Sequence, residues 1–137
     1  MVISETDTQT IKRFVQKVLG CTCPNEVFLN INVEQNPPSF ADITQGDLIS
    51  IGGKLLVYLV NTHDGEDLAS KLEQILKRGR ETRDKGGYNR FRLVISTSRK
   101  QPMQELLTRK VETLNNLDER LHIHVIGIDQ LPGFSAQ

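Results

Sequence analysis

Ile11, Phe14, Val15, Val18 and Leu19 recur at the spacing of one face of a helix, with Asp7 or Thr8 placed to cap it and Gly20 to end it. An amphipathic helix is therefore expected first. Leu29, Ile31 and Val33 then alternate with Asn30, Asn32 and Glu34, the period of a half-buried strand. The stretch from Gln35 to Gly46, with Pro37 and Pro38 near its start, has neither period and reads as a long loop. Asp47 to Ile51 and Lys54 to Val60 flank Gly52-Gly53, a pair that supplies the positive φ angles of a tight hairpin. The second of these strands is apolar on both faces, as a central strand is.

Beyond it the period returns to that of a helix. Asp64 precedes a segment in which Leu68, Leu72, Ile75 and Leu76 form one face, running on to Gly86-Gly87. Phe91 to Ile95 is a second apolar strand, and Pro102 opens a helix with Leu106, Leu107, Val111 and Leu114 inward. His122 to Ile128 is the last strand. The order is α-β-β-β-α-β-α-β. Two strand-helix-strand crossovers in the second half call for parallel neighbours and right-handed connections. The expected fold is α/β (or α+β), with a mixed sheet of about five strands flanked by helices.

Length and composition narrow the class. A chain of 137 residues, 37% hydrophobic and 25% charged, is expected to form one globular domain over residues 1–137. The longest apolar run, Leu55 to Val60, is six residues, far short of the roughly 20 that span a bilayer. The polar, acidic start Met1 to Thr10 does not read as a secretory signal, so a cytoplasmic protein with no membrane partner is expected.

A net charge of zero conceals an asymmetry: residues 1–76 carry five Lys/Arg against ten Asp/Glu, and residues 77–137 carry twelve against seven. The excess gathers between Lys77 and Lys100, where Arg78, Arg80, Arg83, Arg90 and Arg99 are candidates for binding an anion. The Gly86-Gly87 turn would let the backbone approach a phosphate, and Tyr88 and Phe91 are interleaved with the arginines as in nucleic-acid-binding segments. A zero net charge supplies no general pull toward DNA or RNA, which favours a solvated helix end or a protein or anion contact over nucleic acid.

Two cysteines one residue apart cannot staple a small secreted domain. In Cys21-Thr22-Cys23-Pro24, proline suits the first position of a short helical turn, which makes Cys23 its N-cap and the better placed thiolate. Three readings are open: small packing residues, a thiol-redox pair, or metal ligands. His122 and His124 share one face of a strand and would complete a set of two thiolates and two imidazoles suited to zinc, with His63 in reserve. The plainer reading places both histidines on the exposed face of an edge strand.

The helix, three strands, helix and strand are similar in order to the core of restriction-endonuclease-like nucleases, with Asp47 at the start of a hairpin strand. That resemblance would require an acidic residue and a lysine one residue apart on the next strand, yet Lys54-Leu55-Leu56-Val57-Tyr58-Leu59-Val60 holds no carboxylate to bind magnesium. It implies topology, and no active nuclease. P-loop, dinucleotide and nucleophile-elbow signatures are all absent. Ser96-Thr97-Ser98 reads as a polar loop with helix-capping hydroxyls. The run Gly20-Cys21-Thr22-Cys23-Pro24-Asn25-Glu26-Val27-Phe28 resembles a motif of small uncharacterised prokaryotic domains and implies no activity.

The reading that follows leans away from an enzyme: a binding or accessory domain that meets a protein partner or small ligand at the ends of its parallel strands. A thiol-redox or metal-handling protein and a nucleic-acid-binding domain are the alternatives. A homodimer through an exposed edge strand is a further expectation.

Overall fold

The structure, a computed structural model, describes residues 5–20, 25–62, 64–114 and 119–130. Strands β1 (Ile31–Gln35), β2 (Asp47–Ile51), β3 (Leu55–Asn61), β4 (Arg90–Thr97) and β5 (Leu121–Gly127) lie side by side in sequence order. The connections dictate the directions. Loop and turn links make β1–β2 and β2–β3 antiparallel, and helical crossovers make β3–β4 and β4–β5 parallel. The fold is α+β, in the order the hydrophobic pattern predicts.

Gly52 and Gly53 take φ angles of 58° and 66° between β2 and β3, and the Lys54 N–H donates to the Ile51 carbonyl at 3.0 Å. Both central residues of that turn need the left-handed region, which glycine enters without steric cost. The helix α2 (Gly65–Gly86) begins where the Asp64 side chain accepts the Asp67 N–H at 3.0 Å. It ends at Gly87, at φ 73°, whose N–H donates to the carbonyls of Arg83 and Asp84.

Each face of the sheet has its own apolar layer. On one, Leu68, Leu72, Ile75 and Leu76 of α2, with Met103 and Leu107 of α3 (Lys100–Glu112), cover Leu56, Tyr58 and Val60 of β3 and Phe91, Leu93 and Ile95 of β4. Each such aliphatic side chain contributes roughly 1.5–3 kcal/mol by burial. The loop before β2 adds Phe40, stacked on Tyr58 with centroids 4.3 Å apart. On the other face, Ile11, Phe14, Val15 and Leu19 cover Ile31 and Val33 of β1, Ile49 and Ile51 of β2, and Leu55, Val57 and Leu59 of β3. No helix of the described residues is long and apolar enough to cross a membrane.

The departures from the sequence expectation are local. Helix α1 runs from Glu5 to Arg13, so Asp7 and Thr8 lie inside it rather than capping it. It continues as a π-helical turn, Phe14–Val18, closed by the Leu19 N–H on the Phe14 carbonyl at 3.2 Å. The wider turn lets both Phe14 and Leu19 reach the core while Val18 is only partly buried against it. Leu29, expected in β1, sits in a 3-10 turn, Asn25–Leu29, and is 87% exposed. In α3, Leu107 faces the core as expected, and Val111 and, just past the helix, Leu114 pack against it half-buried. Met103, which the pattern did not mark, takes the inward place in preference to the half-buried Leu106.

Candidate functional site

Side chains alternate across a strand, so the register fixes which residues of β4 and β5 share the α1 face. Val94 and Ile126 are buried against α1 there, which places Arg90 and Arg92 on that face of β4 and His122 and His124 on that face of β5. Helix α1 packs mainly over β1 to β3. At the far corner, toward the amino ends of the parallel strands, the face is therefore built from two arginines and two histidines.

These four form a ladder. Arg92 is the direct register partner of His122, yet its Nη1 lies 2.8 Å from Nε2 of His124, one step along. Arg90 repeats the diagonal, with its Nη1 3.3 Å from Nε2 of His122. A guanidinium donates and never accepts, so both Nε2 atoms act as acceptors in these contacts, and the neutral His124 ring carries its proton on Nδ1. Burial, the Arg92 charge and His122 together push the His124 pKa down to about 4. Burial and the nearby Arg90 also lower the pKa of Arg92, which stays far above neutrality and charged.

The partners that are missing matter as much. Among the described residues, carboxylates pair with Lys71, Arg78 and Arg83, and none pairs with Arg90 or Arg92. Among the described residues the buried Nε of Arg92 finds no hydrogen-bond partner, so its guanidinium retains an unused donor. Two positive charges are thus held in place by imidazole nitrogens rather than carboxylates, an arrangement that orients them without cancelling them.

Arg78, Arg80 and Arg83 are taken up elsewhere, and Arg99 stands apart from the ladder at the other end of β4. Arg78 donates to the Ser39 carbonyl and to Asp42 at 3.1 and 3.3 Å, which ties α2 to the loop before β2. Arg83 is 2% exposed, with its Nε and Nη2 on Oδ1 of Asp84 at 3.0 and 2.9 Å. Arg80 is half-buried on α2 and engaged in an interaction of its own. Arg99 is the residue that leads into α3, and its backbone N–H donates to Oγ1 of Thr97 at 3.1 Å, which closes a local turn ahead of the helix. The N-cap position makes no side-chain cap hydrogen bond, so the capping expected of that loop is not found there. Gly86-Gly87 ends a helix rather than cradling a phosphate: a Cβ at Gly86 would meet the Tyr88 ring, and the Gly87 N–H is already spent on α2.

Asp47 opens β2 opposite Leu59 of β3 and Gln35 of β1, and burial raises its carboxyl pKa. No second carboxylate stands on β3 to share a metal with it. Cys21, Cys23, Pro24 and His63 lie outside the described residues. Among the described ones, no group of three or more His, Cys, Asp or Glu side chains is placed to hold a metal ion. Arginine charge beside both imidazoles of β5 also opposes a divalent cation at His122 and His124.

The structure therefore joins Arg90, His122 and His124, named from the sequence for two different chemistries, in one cluster. It adds Arg92, a residue of the basic Lys77 to Lys100 segment that the sequence alone does not single out. The signal was present as a repeated alternation: Arg90-Phe91-Arg92-Leu93 and Leu121-His122-Ile123-His124 each put two polar groups on one face of a strand.

Comparison with known proteins finds no family model that matches this chain and no curated protein or solved structure similar to it. The functional reading rests on the site itself.

Proposed function

We propose that this protein is a small cytoplasmic binding domain, not a catalyst, and that it holds a tetrahedral oxyanion against Arg90 and Arg92 of β4. The observation that carries this reading is the pairing of both guanidiniums with imidazole nitrogens in place of carboxylates. A surface arginine kept only for stability gains most from a carboxylate partner, which cancels its charge. A neutral acceptor instead leaves the charge for a ligand, and arginine's fork is the group best matched to phosphate or sulfate oxygens.

The same chemistry occurs on a free phosphate ester and on a nucleic-acid backbone. Calorimetric titration with sulfate near neutral pH is the direct test, and a single-stranded oligonucleotide forms the second arm. A ligand recognised by its backbone gives an affinity that falls steeply with salt and scales with oligonucleotide length, whereas a small-anion site saturates with one sulfate per chain. The double variant Arg90→Gln, Arg92→Gln is expected to abolish binding of either. Undiminished binding by that variant would falsify the assignment.

A further inference from the structure

We propose that this corner takes up its oxyanion together with a proton that comes to rest on His124, and that it therefore selects a dianion such as sulfate or a phosphate monoester. The inference rests on the reading of Arg90 and Arg92 as the anion site.

In the free protein the Nε2 of His124 accepts a hydrogen from Nη1 of Arg92 at 2.8 Å. A proton on that nitrogen would break the contact and set an imidazolium against a guanidinium. Among the described residues, the charged and titratable groups acting on His124 are Arg92 from β4 and His122 from its own strand, and Arg90 acts in turn on Arg92. None offsets a positive charge, and half-burial adds the cost of desolvating one, so the free ring is neutral with a pKa of about 4.

A dianion seated on the two guanidiniums reverses the sign of that field. It draws the Nη1–H of Arg92 away from His124 and presents oxygens that need donors. His124 then takes one proton from solvent on Nε2 and donates it to the anion, and no bond within the anion is made or broken. A monoanion leaves net positive charge at the corner and gives the imidazolium much less reason to form. By linkage, an anion that raises the pKa of His124 binds more tightly as pH falls from the bound-state value toward the free value.

Sulfate is the suitable probe because it stays a dianion throughout that range. Its affinity for the full chain is measured by calorimetry between about pH 4.5 and 7.5, and the His124 ring is followed by NMR with and without sulfate. In the wild type, affinity rises up to about tenfold per pH unit as pH falls, and sulfate moves the His124 titration upward. His124→Gln keeps an acceptor for Arg92 but cannot take a proton, so it binds sulfate with no such rise. A pH-independent affinity in the wild type, an unmoved His124 titration, or a rise that persists in His124→Gln overturns proton uptake and leaves the anion site standing. Absence of sulfate binding at every pH overturns the site and the inference together.

Discussion

Nη1 of Arg92 stands 2.8 Å from Nε2 of His124, and this contact makes the imidazole a neutral acceptor in the folded chain. Its folded pKa is about 4, against an ordinary value of 6.5. Between those values the unfolded chain holds a proton that the folded chain does not, so stability falls as pH drops from about 6.5 to about 4. With allowance for a ring that is only partly buried, the loss is about 1–2 kcal/mol. Urea unfolding at both ends of this window checks it: His124→Gln loses less stability on acidification than the wild type by that amount. Equal losses in the two proteins would show that His124 is not the titrating group.

Gly79, in the middle of α2, faces the ring of Phe91 so closely that a Cβ would overlap three of its atoms. Ordinarily an alanine in a helix interior is preferred to glycine by roughly 1 kcal/mol. Here overpacking wins, and Gly79→Ala is expected to destabilise by about 1–3 kcal/mol. Phe91→Leu in the same chain should recover part of that loss. A higher unfolding midpoint for Gly79→Ala alone would contradict the close approach.

Tyr58 lies under the loop before β2 and donates from its hydroxyl to the Thr44 carbonyl at 3.1 Å. Burial and the nearby Asp47 raise its pKa to about 12. Spectrophotometric titration of the phenols should therefore show one of the two tyrosines ionising well above the ordinary range. Tyr58→Phe, which loses the hydrogen bond and keeps the ring stack, is expected to cost about 1 kcal/mol. A tyrosine titration in which both phenols ionise together near pH 10 would count against this packing.

Arg78 serves the fold by fastening the loop before β2, and Arg99 stands at the start of α3, beyond the carboxyl end of β4 and away from Arg90 and Arg92 at its amino end. Arg78→Gln and Arg99→Gln are expected to leave sulfate affinity within about twofold of the wild type. Arg78→Gln should also speed amide exchange at Phe40 and Ile43, whose loop it no longer holds. A tenfold loss of sulfate affinity in either variant would place the anion on α2 or α3 instead of β4.

Most of the fold was legible because its signals are local. The period of Leu68, Leu72, Ile75 and Leu76, the two glycines after Ile51 and the apolar run of β3 each bear on their own neighbours in sequence. The misplacements have the same origin. Leu29 continues the alternation of Ile31 and Val33, but a strand extends only as far as it finds a partner, and the register of β1 with β2 begins at Ile31. The wide turn at Phe14 leaves Phe14 and Leu19, five positions apart, both buried in the core, and nothing in the helix's own period announces it. The site was harder. Arg92 and His124 are 32 residues apart, and the sequence offered arginines by their density and histidines by their softness as ligands. Only the pairing of β4 with β5 shows that the two sets meet, and that meeting changes what each can do.

The strand order has a kinetic consequence. The β2–β3 hairpin closes over a tight glycine turn, whereas β4 is joined to β3 only through α2, and β5 to β4 only through α3. Contacts between distant parts of a chain form later than local ones because closing the longer loop costs more entropy. Arg90, Arg92, His122 and His124 all stand on the two strands that arrive by crossover. The half of the sheet made by local pairing contains none of them, so a partly folded chain has no cationic corner to offer. Sulfate protection appearing only in the last refolding phase would be the signature of a site that comes into being with the finished sheet.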